Sequence, residues 1–105
     1  MAEVKCIPAP KRVKKKVFSE EDFAAICKAL GHPARVRLLT ILIDKGSCIS
    51  GDLAEEFSLA QSTVSEHLRI LKEAALVQGT IDGPKRCYCV NHETLDHLKD
   101  LVASL

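Results

Sequence analysis

DLAEEFSLAQSTVSEHLRILKEAALV, residues 52 to 77, is the stretch that decides the fold. Leu53, Ala54 and Phe57 give a short helix an apolar side, and Ser58-Leu59-Ala60 makes a three-residue turn. A second helix follows from about Gln61 to Ala74, with Val64, Leu68 and Leu71 at helical spacing. Two helices around so tight a turn form a helix-turn-helix. Opposite its apolar stripe the second helix carries Gln61, Ser62, Thr63, Ser65, Glu66, His67 and Arg69. Short hydrogen-bonding side chains with one guanidinium suit the base edges and phosphates of a major groove, and a helix N-terminus offers N–H donors to a phosphate. An ordinary solvated helix face has similar composition, so the flanking sequence must separate the two.

Downstream the period changes. Leu76 to Ile81 and Arg86 to Val90 read as two strands around Asp82-Gly83-Pro84-Lys85, a hairpin with Lys85 and Arg86 at or beside its tip. Such a cationic wing would flank the reading helix on DNA. Asn91 can cap a last helix, whose stripe Leu95, Leu98, Val102 and Leu105 runs to the final residue and needs a partner surface.

Upstream, Ser19 and Asp22 have the spacing of a capping box, with Phe18 and Phe23 as a staple, and Phe23, Ile26 and Leu30 share one face. Gly31 ends that helix and Pro33 opens the next, with His32 at its cap. Val36, Leu39 and Ile43 mark this second helix as the central core element, Lys45-Gly46 closes it, and Ser50 caps the short helix through Phe57. The predicted fold is mainly α with a small β-hairpin wing: a winged helix-turn-helix of about five helices and two strands, acting as a homodimer. Residues 18–105 form this DNA-binding and dimerisation domain.

Residues 1–17 are expected to be a basic, flexible tail. They hold six basic groups, Lys5, Lys11, Arg12 and Lys14 to Lys16, against Glu3, and the net charge of the whole chain is only +1. Such a tail can lie along phosphates or simply aid solubility. No apolar run follows it as a secretory signal requires, and nothing in the 105 residues approaches the roughly 20 apolar residues of a membrane span. A cytoplasmic protein is expected. There, five cysteines fit reduced thiols better than a disulfide framework. No Cys-x-x-Cys or clear Cys/His pairing suggests a thiol enzyme, and one Glu beside Arg69 on the reading face argues against a module that binds protein instead of DNA.

KALGHPARVRLLTIL (28–42), residues 52–77 and GPKRCYCVN (83–91) together resemble the ArsR/SmtB family of metal- and stress-responsive repressors. The resemblance implies a transcriptional repressor, not an enzyme. It further implies a dimer built from the first and last helices, an inverted-repeat operator in double-stranded DNA, and reading by Gln61, Ser62, Thr63, Ser65, His67 and Arg69 with Lys85 and Arg86 on the wing. Ala60 departs from the pattern, since Ser often caps the reading helix in this family.

The family varies its inducer sites, and here the cysteines are the candidates. Its Cys-x-Cys arsenite motif is replaced by Ser47-Cys48-Ile49-Ser50, and His97-Leu98-Lys99-Asp100 matches only half of its last-helix zinc site. Cys6 and Cys48 resemble a branch whose arsenite site joins an N-terminal tail to a cysteine ahead of the helix-turn-helix. That implies a thiolate site drawn from two subunits for arsenite, methylarsenite or antimonite, with no permanently bound cofactor. The branch carries two tail cysteines where this chain has only Cys6. The alternative pair is Cys87 and Cys89, two apart on a strand and hence on one face, unless both are small core residues. Cys27 is expected to pack beside Ile26. A thiol redox or persulfide switch is the other inducer class open to such cysteines.

Overall fold

Ser19 accepts a hydrogen bond from the Asp22 backbone N–H at 3.2 Å while the Asp22 carboxylate accepts from the Ser19 N–H at 3.0 Å, so the capping box forms as the sequence predicts. It opens α1 (Glu20–Ala29) in a computed structural model that describes residues 19–46, 49–50, 59–81 and 86–105. His32 caps α2 (Pro33–Lys45), its Nδ1 accepting from the Ala34 N–H at 3.1 Å, and Gly46 ends it in the left-handed region at φ 66°. Next come β1 (Ile49–Ser50), the reading helix α3 (Gln61–Glu73), β2 (Val77–Thr80), β3 (Cys87–Val90) and α4 (His92–Ala103). Asn91 caps α4 by accepting from the Thr94 N–H at 3.4 Å.

The exit from α3 fixes where the wing starts. The Ala75 N–H donates to the Lys72 carbonyl at 2.9 Å and the Leu76 N–H to that of Leu71 at 3.0 Å. This is a Schellman motif, with Ala75 at φ 62° in the position that usually holds glycine. Leu71 and Leu76, both fully buried, form the accompanying apolar contact. One core follows, joining Ile26 and Ala29 of α1, Leu38, Leu39 and Leu42 of α2, Val64, Leu68 and Leu71 of α3, Tyr88 and Val90 of β3, and Leu95 of α4. Fully burying such Val, Leu or Ile side chains stabilises by about 1.5–3 kcal/mol each before entropy is set against it.

The mainly helical winged architecture is as predicted, and the structure corrects three details. The sheet has three strands in the order β1-β3-β2, all antiparallel, where two were predicted. Ser50 belongs to β1 opposite Cys87, and the helix it was expected to cap lies outside the described residues. Val36 and Ile43, expected in the core, are 46% and 38% exposed, because α2 turns Leu38, Leu39 and Leu42 inward. Cys27, expected to pack, is exposed and free. The tail, Cys6, Cys48, the helix expected up to Phe57 and the wing tip with Lys85 lie outside the described residues.

Candidate nucleic-acid interface

The reading helix meets solvent along a narrow polar strip. Ser62, Thr63 and Glu66 are exposed, and the half-exposed Arg69 pairs with Glu66 one turn earlier. An exposed pair of this kind is worth about 0–1 kcal/mol, so the bond to Glu66 is a weak one. Ala60, extended at φ −64° and ψ 145°, gives the helix no side-chain cap, and N–H groups at a helix N-terminus suit a phosphate.

Three of the predicted reading residues are engaged inside the protein. Ser65 is 6% exposed and its hydroxyl accepts from Gln61 Nε2 at 2.8 Å, so the expectation of an exposed Ser65 is corrected: it holds Gln61. Gln61 Oε1 is buried without a hydrogen-bond partner, and flipping the amide would leave the nitrogen in the same position. An unpartnered buried group of this kind costs about 1–3 kcal/mol, which favours any rearrangement that supplies a donor.

His67, half-buried, faces α2. Its Nδ1 lies 3.4 Å from Arg35 Nη1 and its ring centroid 4.7 Å from that of His32. Arginine only donates, so Nδ1 accepts and the neutral ring carries its proton on Nε2. Burial, with help from His32 and Arg35, holds the His67 pKa below its ordinary value against the opposing pull of Glu66. Arg35 is itself fixed by donating from Nε to the Ala29 carbonyl at 2.6 Å. The neighbours of His67 come from an element 32 residues away in sequence, and no periodicity in 61–74 announces them.

The wing is tied to this helix. Lys72 Nζ donates to the Gly79 carbonyl at 2.5 Å. Gly79 has φ 121°, and a Cβ there would stand 2.8 Å from Tyr88 Cα, so glycine is required where β2 passes β3. Arg86 is half-buried at the start of β3.

The two β3 cysteines share a face, as predicted, opposite the one that Tyr88 and Val90 turn to the main core cluster. Tyr88 and Val90 point into the core, whereas Cys87 stands across from Thr80 and Cys89 from Gln78. Cys89, 8% exposed, is one of the buried apolar residues, as the small-core-residue reading expects of it, while Cys87 is half-buried. Both β3 cysteines are in disulfide linkage, where reduced thiols were expected. Among the described residues no three Cys, His, Asp or Glu side chains gather as metal ligands, and no helix is long and apolar enough to cross a membrane.

Comparison with known proteins adds to this geometry. A family model described as "Bacterial regulatory protein, arsR family" matches residues 32–78. An arsenical resistance operon repressor of Staphylococcus xylosus is 35% identical over 81 residues, covering 77% of this chain and 77% of the relative. An uncharacterized HTH-type transcriptional regulator of Methanocaldococcus jannaschii is 33% identical over 85 residues, covering 81% of this chain and 96% of the relative. A crystal structure of an ArsR family transcriptional regulator superposes with a TM-score of 0.70 at 20% identity, over 85% of this chain and 91% of the other, a likeness of fold.

Proposed function

The chain belongs to the ArsR family of bacterial regulatory proteins, and on that premise we propose that it is a cytoplasmic, homodimeric transcriptional repressor that binds an inverted-repeat operator and is released by a thiol-binding inducer. The observation that carries DNA binding is the uncapped N-terminus of α3 with Ser62, Thr63 and Arg69 on its solvent side, backed by a wing that Lys72 fastens to the same helix. Dimerisation is supported by Val102 and Leu105, 53% and 90% exposed on a stripe that starts at the buried Leu95. Two copies related by a two-fold axis would read two half-sites.

The inducer we assign is trivalent arsenic or antimony, bound by cysteine thiolates. The arsenical resistance repressor among the relatives supports this class. Cys6 and Cys48 are the thiols assigned from the sequence, with Cys87 and Cys89 as the alternative pair. The disulfide state of Cys87 and Cys89 favours a second reading, in which oxidation or persulfidation of the same protein releases DNA. To test repression and release, the reduced full-length protein is titrated onto fluorescent DNA carrying inverted repeats from upstream of its own gene, and arsenite, then a disulfide oxidant, is added to the complex. Sequence-selective binding reversed by arsenite is expected. Binding no tighter than to scrambled DNA would overturn the repressor reading, and a complex indifferent to arsenite but released by the oxidant would replace the inducer.

A further inference from the structure

We propose that the cavity between α1, the start of α2 and the end of α3 binds a small zwitterion, an α-amino acid with an apolar side chain, and that Arg35 connects its occupancy to the reading helix. The carboxylate is held by Lys28 and Arg35, and the ammonium by Glu73. The site uses none of the cysteines, so it stands or falls independently of the inducer reading above.

The cavity has a volume of about 350 Å³, at the lower end of the range for small-molecule sites and enough for one molecule of this size. Helix α1 gives it Ala25 and Lys28, and α3 gives it Ile70, Glu73 and the capping Ala74. Arg35 stands between them in the first turn of α2. Ala25, Lys28 and Glu73 are exposed and mark the mouth, whereas Arg35, Ile70 and Ala74 are half-buried and mark the floor. Residues three or four apart share one face of a helix, so α1 and α3 each turn a charge and an apolar side chain toward the same space. The short alanines keep that space open, and with Ile70 they give it an apolar wall.

The charges select the ligand. Lys28 and Glu73 line one cavity with opposite charge, yet the side chain of neither ion-pairs or hydrogen-bonds with any described residue. Arg35 donates from Nε to the Ala29 carbonyl at 2.6 Å and faces His67 with Nη1 at 3.4 Å, which leaves other guanidinium N–H groups to donate. A plain anion would meet Glu73 and the last turns of α1 and α3, whose carbonyl ends carry partial negative charge. A plain cation would meet Lys28 and Arg35. A molecule with both charges on one carbon answers both sets. Its carboxylate accepts charge-assisted hydrogen bonds from Lys28 and Arg35, its ammonium donates to Glu73 beside the helix ends, and its side chain packs on Ala25, Ile70 and Ala74. The guanidinium that takes the carboxylate is the one that faces His67 on the reading helix. Burial, then His32 and Arg35, hold the His67 pKa down, and Glu66 pulls it up. A carboxylate on Arg35 offsets part of that cation, so occupancy should raise the His67 pKa.

The test uses the full-length protein with L-leucine as the probe, followed by NMR of backbone amides and histidine rings. Saturable shifts centred on Ala25, Ile70 and Ala74 are expected, with a rise in the His67 pKa at saturation. Isocaproate, which is leucine without its ammonium, and isoamylamine, which is leucine without its carboxylate, should each bind at least tenfold more weakly. Glycine, with no side chain to pack, should do the same. Lys28→Gln and Glu73→Gln are each expected to weaken leucine binding at least tenfold, and Ala25→Leu to abolish it by filling the cavity, with folding checked by circular dichroism. Shifts that are absent or scattered over the surface, a fragment that binds as tightly as leucine, or folded Lys28→Gln and Glu73→Gln proteins that bind as the wild type does would overturn the site. A His67 pKa unmoved by saturating leucine would overturn the connection to the reading helix.

Discussion

The guanidinium of Arg35, in the first turn of α2, stands 3.4 Å from Nδ1 of His67 on the reading helix. The contact favours a neutral imidazole, and with burial and His32 it depresses the His67 pKa. Between that lowered value and the ordinary value near 6.5 the unfolded chain binds more protons than the folded one, so stability rises with pH across this window. His67 therefore contributes fully above pH about 6.5 and loses its contribution as pH falls through its folded pKa. Chemical denaturation of wild type and His67→Gln at pH 5 to 8 should show a smaller pH slope in the variant. Equal slopes would mean that His67 is not the titrating group.

On the DNA side, Arg69 and His67 should separate. Arg69→Ala is expected to weaken specific operator binding by roughly 1–3 kcal/mol while leaving thermal stability within about 0.5 kcal/mol, as for an exposed side chain that meets a base edge. His67→Ala should act chiefly on stability, since its ring is turned toward α2. Fluorescence anisotropy and thermal melts on both variants decide this. An Arg69→Ala protein that binds as tightly as the wild type would remove Arg69 from the interface.

Two backbone positions carry opposite expectations. Ala75 sits at φ 62°, a conformation that costs a side-chain-bearing residue roughly 1–2 kcal/mol. The gain from Ala75→Gly is partly offset by the greater freedom of glycine in the unfolded chain. A net stabilisation of about 0.5–1 kcal/mol should appear in urea unfolding. Gly79→Ala combines φ 121° with a Cβ driven into the β3 backbone, and a loss of about 3 kcal/mol or more is expected. A Gly79→Ala protein as stable as the wild type would contradict the close approach of β2 to β3.

If Lys11, Arg12 and Lys14 to Lys16 contact phosphates, deleting residues 1–16 should flatten the log–log dependence of operator affinity on salt by about 0.9 per lost contact. Anisotropy titrations across a range of salt concentrations measure the slope. An unchanged slope would leave the tail without a part in binding.

What the sequence made legible was what local chemistry controls. Ser19 with Asp22, His32 before Pro33, Gly46 and Asn91 each mark a helix end, because a cap is made by residues two to four apart. The stripe Val64, Leu68 and Leu71 likewise fixed the orientation of α3. What escaped depends on distant neighbours. A strand of two residues has no period to read, so β1 was invisible until β3 paired with it. Helix α2 is apolar on more than one side, and only packing chooses Leu38, Leu39 and Leu42 over Val36 and Ile43. His67 and Ser65 look like groove-facing residues because the sequence shows neither Arg35 nor the Gln61 amide beside them.

The short strand β1 also sets where the chain can change length. Ser50 pairs with Cys87 and α3 begins at Gln61, so the number of residues between them links the ladder to the start of the reading helix. Strands β2 and β3 are consecutive antiparallel partners, and doubling the length of a flexible connection between two such strands costs only about 0.6 kcal/mol in closure entropy. Divergent copies of this architecture should therefore vary freely in the reach of the wing while keeping the spacing from the end of α2 to the start of α3, and a library of insertions scored for folding would display that asymmetry directly.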